Sequence, residues 1–402
     1  MTKTPLDSPP RVSQFLSLDA FRGIAALWVV MDHACVPYIM GEGAPLRNNP
    51  IYAMSAFGSL GVVLFFVLSG YCIAGAVYQA LVRGSSPFQF ARARIRRIYP
   101  PYLAACLLAV FFALALAGVQ KLHLIPQSNH HANLSQGWLY WIANASITQI
   151  ELRQPCLVIV FWSLCYEIVF YAMMGIIFAV FRPFFRGCIS KKKLSSTLSL
   201  TLFLITGISL VWMMIIPTRC PFPMNLWYQF GIGSLLFFAI IGNSISGRNS
   251  GRWLNPRWHL GCLLLMMILF AWIQNITFID GLGLHKFVIG KPSTRIQALT
   301  AVLFVLLLLW IHPFDSRVVI HPFVRAFSFL GTFSYSLYLI HTLVQPFVDA
   351  GLRRLGFSGS LYLYNFLSQI VFSIIAGFIF YQLVERHFIS SRHQARVIAE
   401  HL

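Results

Sequence analysis

Apolar segments of about twenty residues recur along nearly all of the 402-residue sequence. An α-helix of that length spans the hydrocarbon core of a bilayer. The chain is 58% hydrophobic and only 10% charged, which no ordinary soluble domain matches. The sequence therefore predicts an all-α integral membrane protein, a polytopic bundle of about ten transmembrane helices.

The ten predicted spans fix an orientation. An even number puts both termini on one side. That side, with Arg22 counted in, holds 21 of the 30 Lys and Arg residues, and cytoplasmic loops collect such residues. Both termini are thus predicted to be cytoplasmic, and the net charge of +19 is explained without a nucleic-acid partner. The approximate spans are 18–38, 59–80, 102–119, 161–181, 197–216, 226–242, 260–275, 297–311, 327–347 and 361–383.

The segments outside the spans contain no second domain. Residues 1–17 are polar and predict a cytoplasmic N-terminal tail rather than a cleavable signal, and residues 389–402 predict a cytoplasmic C-terminal tail. Residues 137–150 are too short to cross the bilayer and predict an interfacial or re-entrant piece.

Among the eight cysteines, Cys156 and Cys220 could form a disulfide bridge. No zinc spacing occurs, so no metal is predicted.

The first span is unusual because it contains Asp19, Arg22, Asp32 and His33. Ionisable groups inside a spanning helix are costly and often functional. Arg22 and His33 are eleven positions apart, which places them within roughly 20° of one face and roughly 16 Å apart along the axis. The alternative is that Arg22 extends to the interface while His33 bonds a neighbouring helix.

A group of arginines precedes the third span. Residues 90–102 read F-A-R-A-R-I-R-R-I-Y-P-P-Y and are interpreted as a cytoplasmic loop. Arginine forks bind phosphate oxygens bidentately, which favours a phosphorylated cytosolic ligand. Positive-inside topology or contact with lipid headgroups would explain the same residues.

Three further polar residues fall within predicted spans. Glu167 could be an acid, a base or the group that orients a histidine, or it could belong to a buried ion pair. Ser69, with Gly70, could belong to a helix-packing face. His341 is a second intramembrane imidazole and could be a structural hydrogen-bonding group. Glu385, after the last span, is expected to pair with an arginine.

The sequence lacks a G-x-S-x-G elbow, a P-loop and a dinucleotide fingerprint, which argues against nucleotide hydrolysis and redox chemistry. Five motifs that occur in order together resemble the membrane acyltransferase-3 family, and the resemblance covers residues 18–388. They are Arg22-x10-His33, F-F-V-L-S-G-Y from Phe65, Arg94-x-x-Arg97, W-S-L-C-Y-E-I-V-F-Y from Trp162, and F-S-Y-S-L-Y-L-I-H ending at His341.

The resemblance implies ten helices and the transfer of acyl groups, often acetyl, from cytosolic acyl-CoA to hydroxyls of exported or surface carbohydrates. It implies that His33 is catalytic with Arg22 as its partner, that Arg94 and Arg97 bind the donor, and that Glu167 is the acid of its motif. Many relatives have proline directly after the acid at the position of Glu385, where this chain has Arg386.

The sequence thus predicts an integral-membrane O-acyltransferase of the bacterial inner membrane, with its transmembrane domain at 18–388. Acyl-CoA is the co-substrate, no cofactor is bound, and the acceptor is a carbohydrate or a lipid-linked sugar. His33 would be a general base or would carry the acyl group itself, with Glu167 orienting the imidazole. Either the membrane domain completes the transfer or a separate extracytoplasmic transferase does. The alternative is a transporter or flippase for a lipid-linked or acidic solute.

Overall fold

The computed structural model describes residues 15–40, 50–121, 136–185, 190–215, 220–245, 255–279, 294–357 and 361–389. This part of the chain is built from helices and contains no strand, which confirms the all-α class. Most of both predicted tails lies outside the described residues. In chain order the α-helices are α1 (Leu18–Met40), α2 (Pro50–Ser55), α3 (Leu60–Val82), α4 (Pro87–Lys121), α5 (Trp138–Ser146), α6 (Trp162–Phe184), α7 (Lys191–Ile215), α8 (Met224–Ile245), α9 (Pro256–Ile279), α10 (Thr294–Ile311), α11 (Asp315–Val318), α12 (Pro322–Thr332), α13 (Ser334–Arg354) and α14 (Tyr362–Leu383).

Eight spans within the described residues are long and apolar enough to cross a membrane, and they contain α3, α4, α6, α7, α8, α9, α10 and α14. Helices α12 and α13 would together make a ninth, bent by 72°. The polytopic membrane architecture is confirmed. The tenth predicted span corresponds to α1, which has 23 residues and so extends about 34 Å, but it carries three charged side chains.

Helix α1 packs against α3, α12 and α13, which places its polar side chains within the bundle. Small residues set the closest approaches. A Cβ on Gly331 of α12 would lie 1.8 Å from the carbonyl oxygen of Asp19 on α1. A Cβ on Gly70 of α3 would lie 2.0 Å from the carbonyl oxygen of Phe230 on α8. Gly70 therefore does serve helix packing.

The arginines of residues 90–102 lie on a helix, so the loop interpretation is wrong. Helix α4 runs unbroken from Pro87 to Lys121 through Pro100 and Pro101. Alanine and arginine both favour helix, and membrane helices tolerate interior proline because neighbouring groups satisfy the freed backbone. The consequence is that the arginines have a fixed helical register.

The predicted continuous span 327–347 is also wrong, because the chain bends between α12 and α13 at Phe333. Gly331 and Thr332 are weak helix formers. The ring of Phe333 is fully buried and lies 5.5 Å, centroid to centroid, from that of Phe378. The bend starts a new helix inside the bundle, with Ser334 as its first residue.

The remaining sequence predictions concern the connections. Within 137–150, helix α5 has nine residues, too few to cross a bilayer, as predicted. Tyr102 of α4 donates a hydrogen bond to the carbonyl oxygen of Asn144 on α5 at 2.5 Å. Cys156 and Cys220 are both free thiols, so the bridge that the sequence left open is not formed.

Candidate active site

Two histidines from distant parts of the chain meet inside the bundle. His33 of α1 and His341 of α13 have ring centroids 5.0 Å apart and planes inclined by 74°. The Nδ1 of His33 lies 3.4 Å from the Nε2 of His341. His341 is fully buried, whereas His33 is partly exposed. Only His33 of the two is therefore open to a substrate.

The backbone around the pair indicates its tautomers. The Nδ1 of His33 lies 3.0 Å from the carbonyl oxygen of Val29. The Nδ1 of His341 lies 3.1 Å and 2.9 Å from the carbonyl oxygens of Leu337 and Tyr338. A carbonyl oxygen only accepts, so each Nδ1 carries the proton and each Nε2 carries a lone pair. Among the described residues the Nε2 of His33 has no hydrogen-bond partner, so its lone pair is available for chemistry.

Glu167 belongs to a separate hydrogen-bonded group. Its Oε1 accepts from the hydroxyl of Ser69 on α3 at 2.9 Å and from the hydroxyl of Tyr171, one turn along α6. The two hydroxyl oxygens are 3.2 Å apart. The expected contact with the His33 imidazole is therefore not made, because hydroxyl groups from α3 and α6 are the donors to this carboxylate.

A guanidinium cluster, formed by Arg22, Arg94 and Arg97, lies at the other end of α1. The charges of Arg22 and Arg97 both act on Arg94. Arg22 is bound to Asp19 at 2.8 Å and to the Cys72 sulfur at 3.2 Å. Like charges repel, so a cluster of this kind suits an anion placed between its members.

The helical register separates these arginines from their neighbours. Arg94 and Arg97 are three positions apart and partly buried, whereas Arg92 and Arg96 are exposed. The guanidinium carbon of Arg94 lies 5.6 Å from the centroid of the Phe90 ring. Its Nε is buried without a hydrogen-bond partner among the described residues, which leaves a donor for a ligand.

Polar side chains connect the two ends of α1. Tyr171 interacts electrostatically with Arg22 and Arg94 at one end, and Glu167 does so with Tyr338 at the other. The Tyr338 ring lies 5.9 Å from that of His341, centroid to centroid. Polar side chains of α1, α3, α4, α6 and α13 thus lie between the two ends of α1, and we call them the polar path.

A model of an acyltransferase domain family matches residues 15–385 of this chain. The chain belongs to the membrane acyltransferase-3 family. It is therefore an enzyme, an acyltransferase, which the resemblance implied.

The acyltransferase also has a relative in Rhizobium radiobacter, described as protein 2 in the picA locus. The two are 39% identical over 107 residues, which is 26% of this chain and 48% of the relative. The match thus spans about half the length of that relative. No solved structure matches the acyltransferase.

The observed partners of Arg22 and Glu385 complete the description of the site. Arg22 contacts Asp19 and Cys72 and not His33, as expected for two side chains eleven positions apart along α1. Glu385, expected to pair with an arginine, interacts electrostatically with Arg97 and Arg22. Its hydrogen bonds within the described residues come instead from the backbone N–H of Ser336 at 3.1 Å and from the Ser336 hydroxyl at 2.5 Å. The amide belongs to the first turn of α13, where backbone donors lack helical partners.

Sequence reasoning missed the pairing of the histidines and the role of Tyr171 as a donor to Glu167. The spacing of His33 and His341, 308 residues apart, carries no signal of contact. The described residues contain no group of three or more His, Cys, Asp or Glu that could hold a metal ion; whether the reaction uses a metal stays a prediction.

Proposed function

We propose that this acyltransferase transfers an acyl group, acetyl in the first instance, from acyl-CoA to a hydroxyl of an exported or surface carbohydrate. One observation carries the proposal. A histidine with an available lone pair and a guanidinium cluster lie at opposite ends of one helix, with polar side chains between them. An elongated donor with phosphates at one end and a thioester at the other matches that arrangement.

The guanidinium cluster would bind the phosphates of CoA. Arginine forks make paired, charge-assisted hydrogen bonds to phosphate oxygens. Arg94 has an unused buried donor, and a phosphate would satisfy it. Arg22 is then assigned to the donor rather than to the imidazole, which revises the partnership that the resemblance implies. The pantetheine arm would follow the polar path past Tyr171 toward His33.

His33 would act at the thioester. In direct transfer, its Nε2 takes the proton of the acceptor hydroxyl while the oxygen attacks the thioester carbonyl carbon. The C–S bond then breaks, and the CoA sulfur leaves as a thiolate that the imidazolium proton neutralises. In the alternative, Nε2 itself attacks the carbonyl carbon, the C–S bond breaks and CoA leaves as a thiolate. The acceptor oxygen then attacks the acyl carbon on the ring, the C–N bond breaks, and the hydroxyl proton passes to the thiolate. Both routes need the same unprotonated Nε2.

Glu167 would act at a distance from the imidazole. Its carboxylate fixes the hydroxyls of Ser69 and Tyr171 by hydrogen bonds. We assign it to the ordering of the path along which the donor arm lies. Any effect of Glu167 on His33 would pass through Tyr338, with which Glu167 interacts electrostatically.

The distribution of basic residues supports a sidedness for this reaction. The 21 Lys and Arg residues on the side of the termini favour a cytoplasmic position for both tails and for the guanidinium cluster. The donor would then bind from the cytoplasm of a bacterial inner membrane, and a carbohydrate or lipid-linked sugar would approach His33 from the other face. A separate extracytoplasmic transferase remains a candidate partner for the last step.

Release of CoA tests the proposal. Purified acyltransferase in detergent is given acetyl-CoA and a hydroxyl acceptor, and free CoA thiol is measured. His33→Ala should lower the rate by about 100-fold or more, because it removes the base or nucleophile. His321→Asn is the matched control, since His321 is exposed, caps α12 and belongs to neither cluster. A transporter would release no CoA, and near-normal turnover of His33→Ala would remove His33 from the mechanism.

A further inference from the structure

We propose that His341 is a positioning residue for His33, which it holds in the tautomer that exposes the reactive Nε2. The inference rests on the proposed function, in which His33 is the base or the nucleophile. His341 itself is fully buried, so it acts through His33 rather than on substrate.

His341 presents a fixed acceptor. Its Nδ1 proton is committed to the carbonyl oxygens of Leu337 and Tyr338 on its own helix. The Nε2 must then carry a lone pair, and it points at the Nδ1 of His33 at 3.4 Å. The backbone of α13 thereby sets the hydrogen-bonding role of the buried imidazole.

His33 has one proton for two acceptors. Its Nδ1 faces both the carbonyl oxygen of Val29 at 3.0 Å and the Nε2 of His341. If the proton moved to the Nε2 of His33, three lone-pair atoms would face one another in the bundle without a hydrogen. Unpaired buried acceptors are costly. The Nδ1–H tautomer is therefore strongly favoured, and the lone pair is directed away from His341.

The pair also stabilises the charged intermediate. When His33 accepts the substrate proton at Nε2, its Nδ1–H becomes a charge-assisted donor to His341, which strengthens the bond. A carboxylate in the same place would attract the imidazolium more strongly, but its burial carries a large desolvation cost. A neutral imidazole provides an acceptor without that cost.

Two substitutions of His341 separate this role from simple packing. His341→Gln can place an amide oxygen near the position of Nε2, whereas the shorter side chain of His341→Asn reaches only the position of Nδ1. Both new side chains are polar amides, and both substitutions remove the imidazole ring. We expect Asn to lower kcat by about 10- to 100-fold, as for an unsatisfied buried donor, and Gln to recover most of the loss. The KM for acetyl-CoA should stay within about two-fold, since the guanidinium cluster is remote.

The experiment measures kcat and KM for release of CoA from acetyl-CoA by wild type, His33→Ala and the two His341 variants. Acetyl-CoA binding by each variant reports whether it is folded. Equal activity of His341→Gln and His341→Asn, at any level, overturns the inference, and so does a loss confined to KM. If His33→Ala keeps its activity, His33 is removed from the mechanism, and this inference fails together with that part of the proposed function. If His33→Ala is inactive but His341→Gln and His341→Asn have equal activity, the proposed function survives and this inference alone fails.

Discussion

The Nη2 of Arg22 donates a hydrogen bond to the sulfur of Cys72 at 3.2 Å. This contact joins α1 to α3 at the guanidinium cluster. Cys72 is partly exposed, and its thiol interacts electrostatically with Arg94 as well. A thiol therefore lies where the phosphates of the donor are proposed to bind, and it provides a local probe of that site.

Acetyl-CoA should protect Cys72 from alkylation by a maleimide. A bound phosphate would cover the sulfur, and labelling of the Cys72 peptide, measured by mass spectrometry, should slow by about 10-fold or more at a donor concentration well above its Kd. Acetyl-pantetheine, which lacks the phosphates, should protect much less. The partly exposed Cys262 is the internal reference. Equal labelling of Cys72 with and without acetyl-CoA would place the donor elsewhere.

The register of α4 provides a matched pair of double variants. Arg94→Gln with Arg97→Gln should raise the KM for acetyl-CoA by about 10-fold or more, since two partly buried guanidinium groups lose contact with phosphate. Arg92→Gln with Arg96→Gln removes the same charge from the exposed side of the helix. That control should change KM by less than about three-fold.

The ionic strength and lysine substitutions at Arg94 and Arg97 test whether the arginines act through paired bonds to phosphate. The loss at Arg94 and Arg97 should be larger at low ionic strength, where electrostatic attraction is least screened. Lysine at both positions should recover activity only in part, because a point charge cannot make the paired bonds of a guanidinium. Equal effects of the two double variants would show that net charge alone accounts for donor affinity.

Much of the site could be predicted from local sequence. The first span is a helix, and it carries both Arg22 and His33. The resemblance selected Arg94 and Arg97, which are the two arginines of their group that the structure partly buries. These predictions depend on spacing within one helix, and helical geometry makes such spacing readable.

The rest depends on contacts between distant segments. Nothing in the sequence pairs His33 with His341, and a carboxylate such as Glu167 has many conceivable donors. The bend at Phe333 also escaped prediction, because hydropathy treats 327–347 as one apolar run. The bend matters for the site, since α13 begins there and carries His341 into contact with α1.

The start of α1 is fixed by one carboxylate. Asp315 accepts from the backbone N–H of Ser17 at 3.0 Å, from its hydroxyl at 2.7 Å and from the N–H of Leu16. Asp315→Ala would leave those donors unpaired, and we expect a loss of about 1–3 kcal/mol in stability. Thermal unfolding in detergent measures it. Asp315→Asn, which keeps an acceptor oxygen, should lose less, and a melting temperature unchanged by alanine would contradict the role.

Glu167→Gln should reduce turnover more than donor affinity. The amide keeps one acceptor oxygen for Ser69 and Tyr171 but deletes the charge that their hydroxyls stabilise. Measured kcat and KM for acetyl-CoA should therefore separate, with most of the loss in kcat. Tyr171→Phe is the comparison, because it removes one hydroxyl and leaves the carboxylate. A loss mainly in KM would assign Glu167 to donor binding, and failure of the variant to fold would make it structural.

The last prediction concerns the two faces of the membrane. The guanidinium cluster and His33 lie at opposite ends of α1, roughly 16 Å apart along its axis. CoA is too polar to cross lipid, so the donor should stay on the side of the cluster while the acyl group passes along the polar path. In sealed inside-out vesicles, external acetyl-CoA should therefore acetylate an acceptor trapped in the lumen, as measured by transfer of labelled acetyl. Right-side-out vesicles given external acetyl-CoA should show no transfer. If acetylation requires donor and acceptor on one side, transfer through the bundle is excluded, whereas the assignment of the chain as an acyltransferase is unaffected.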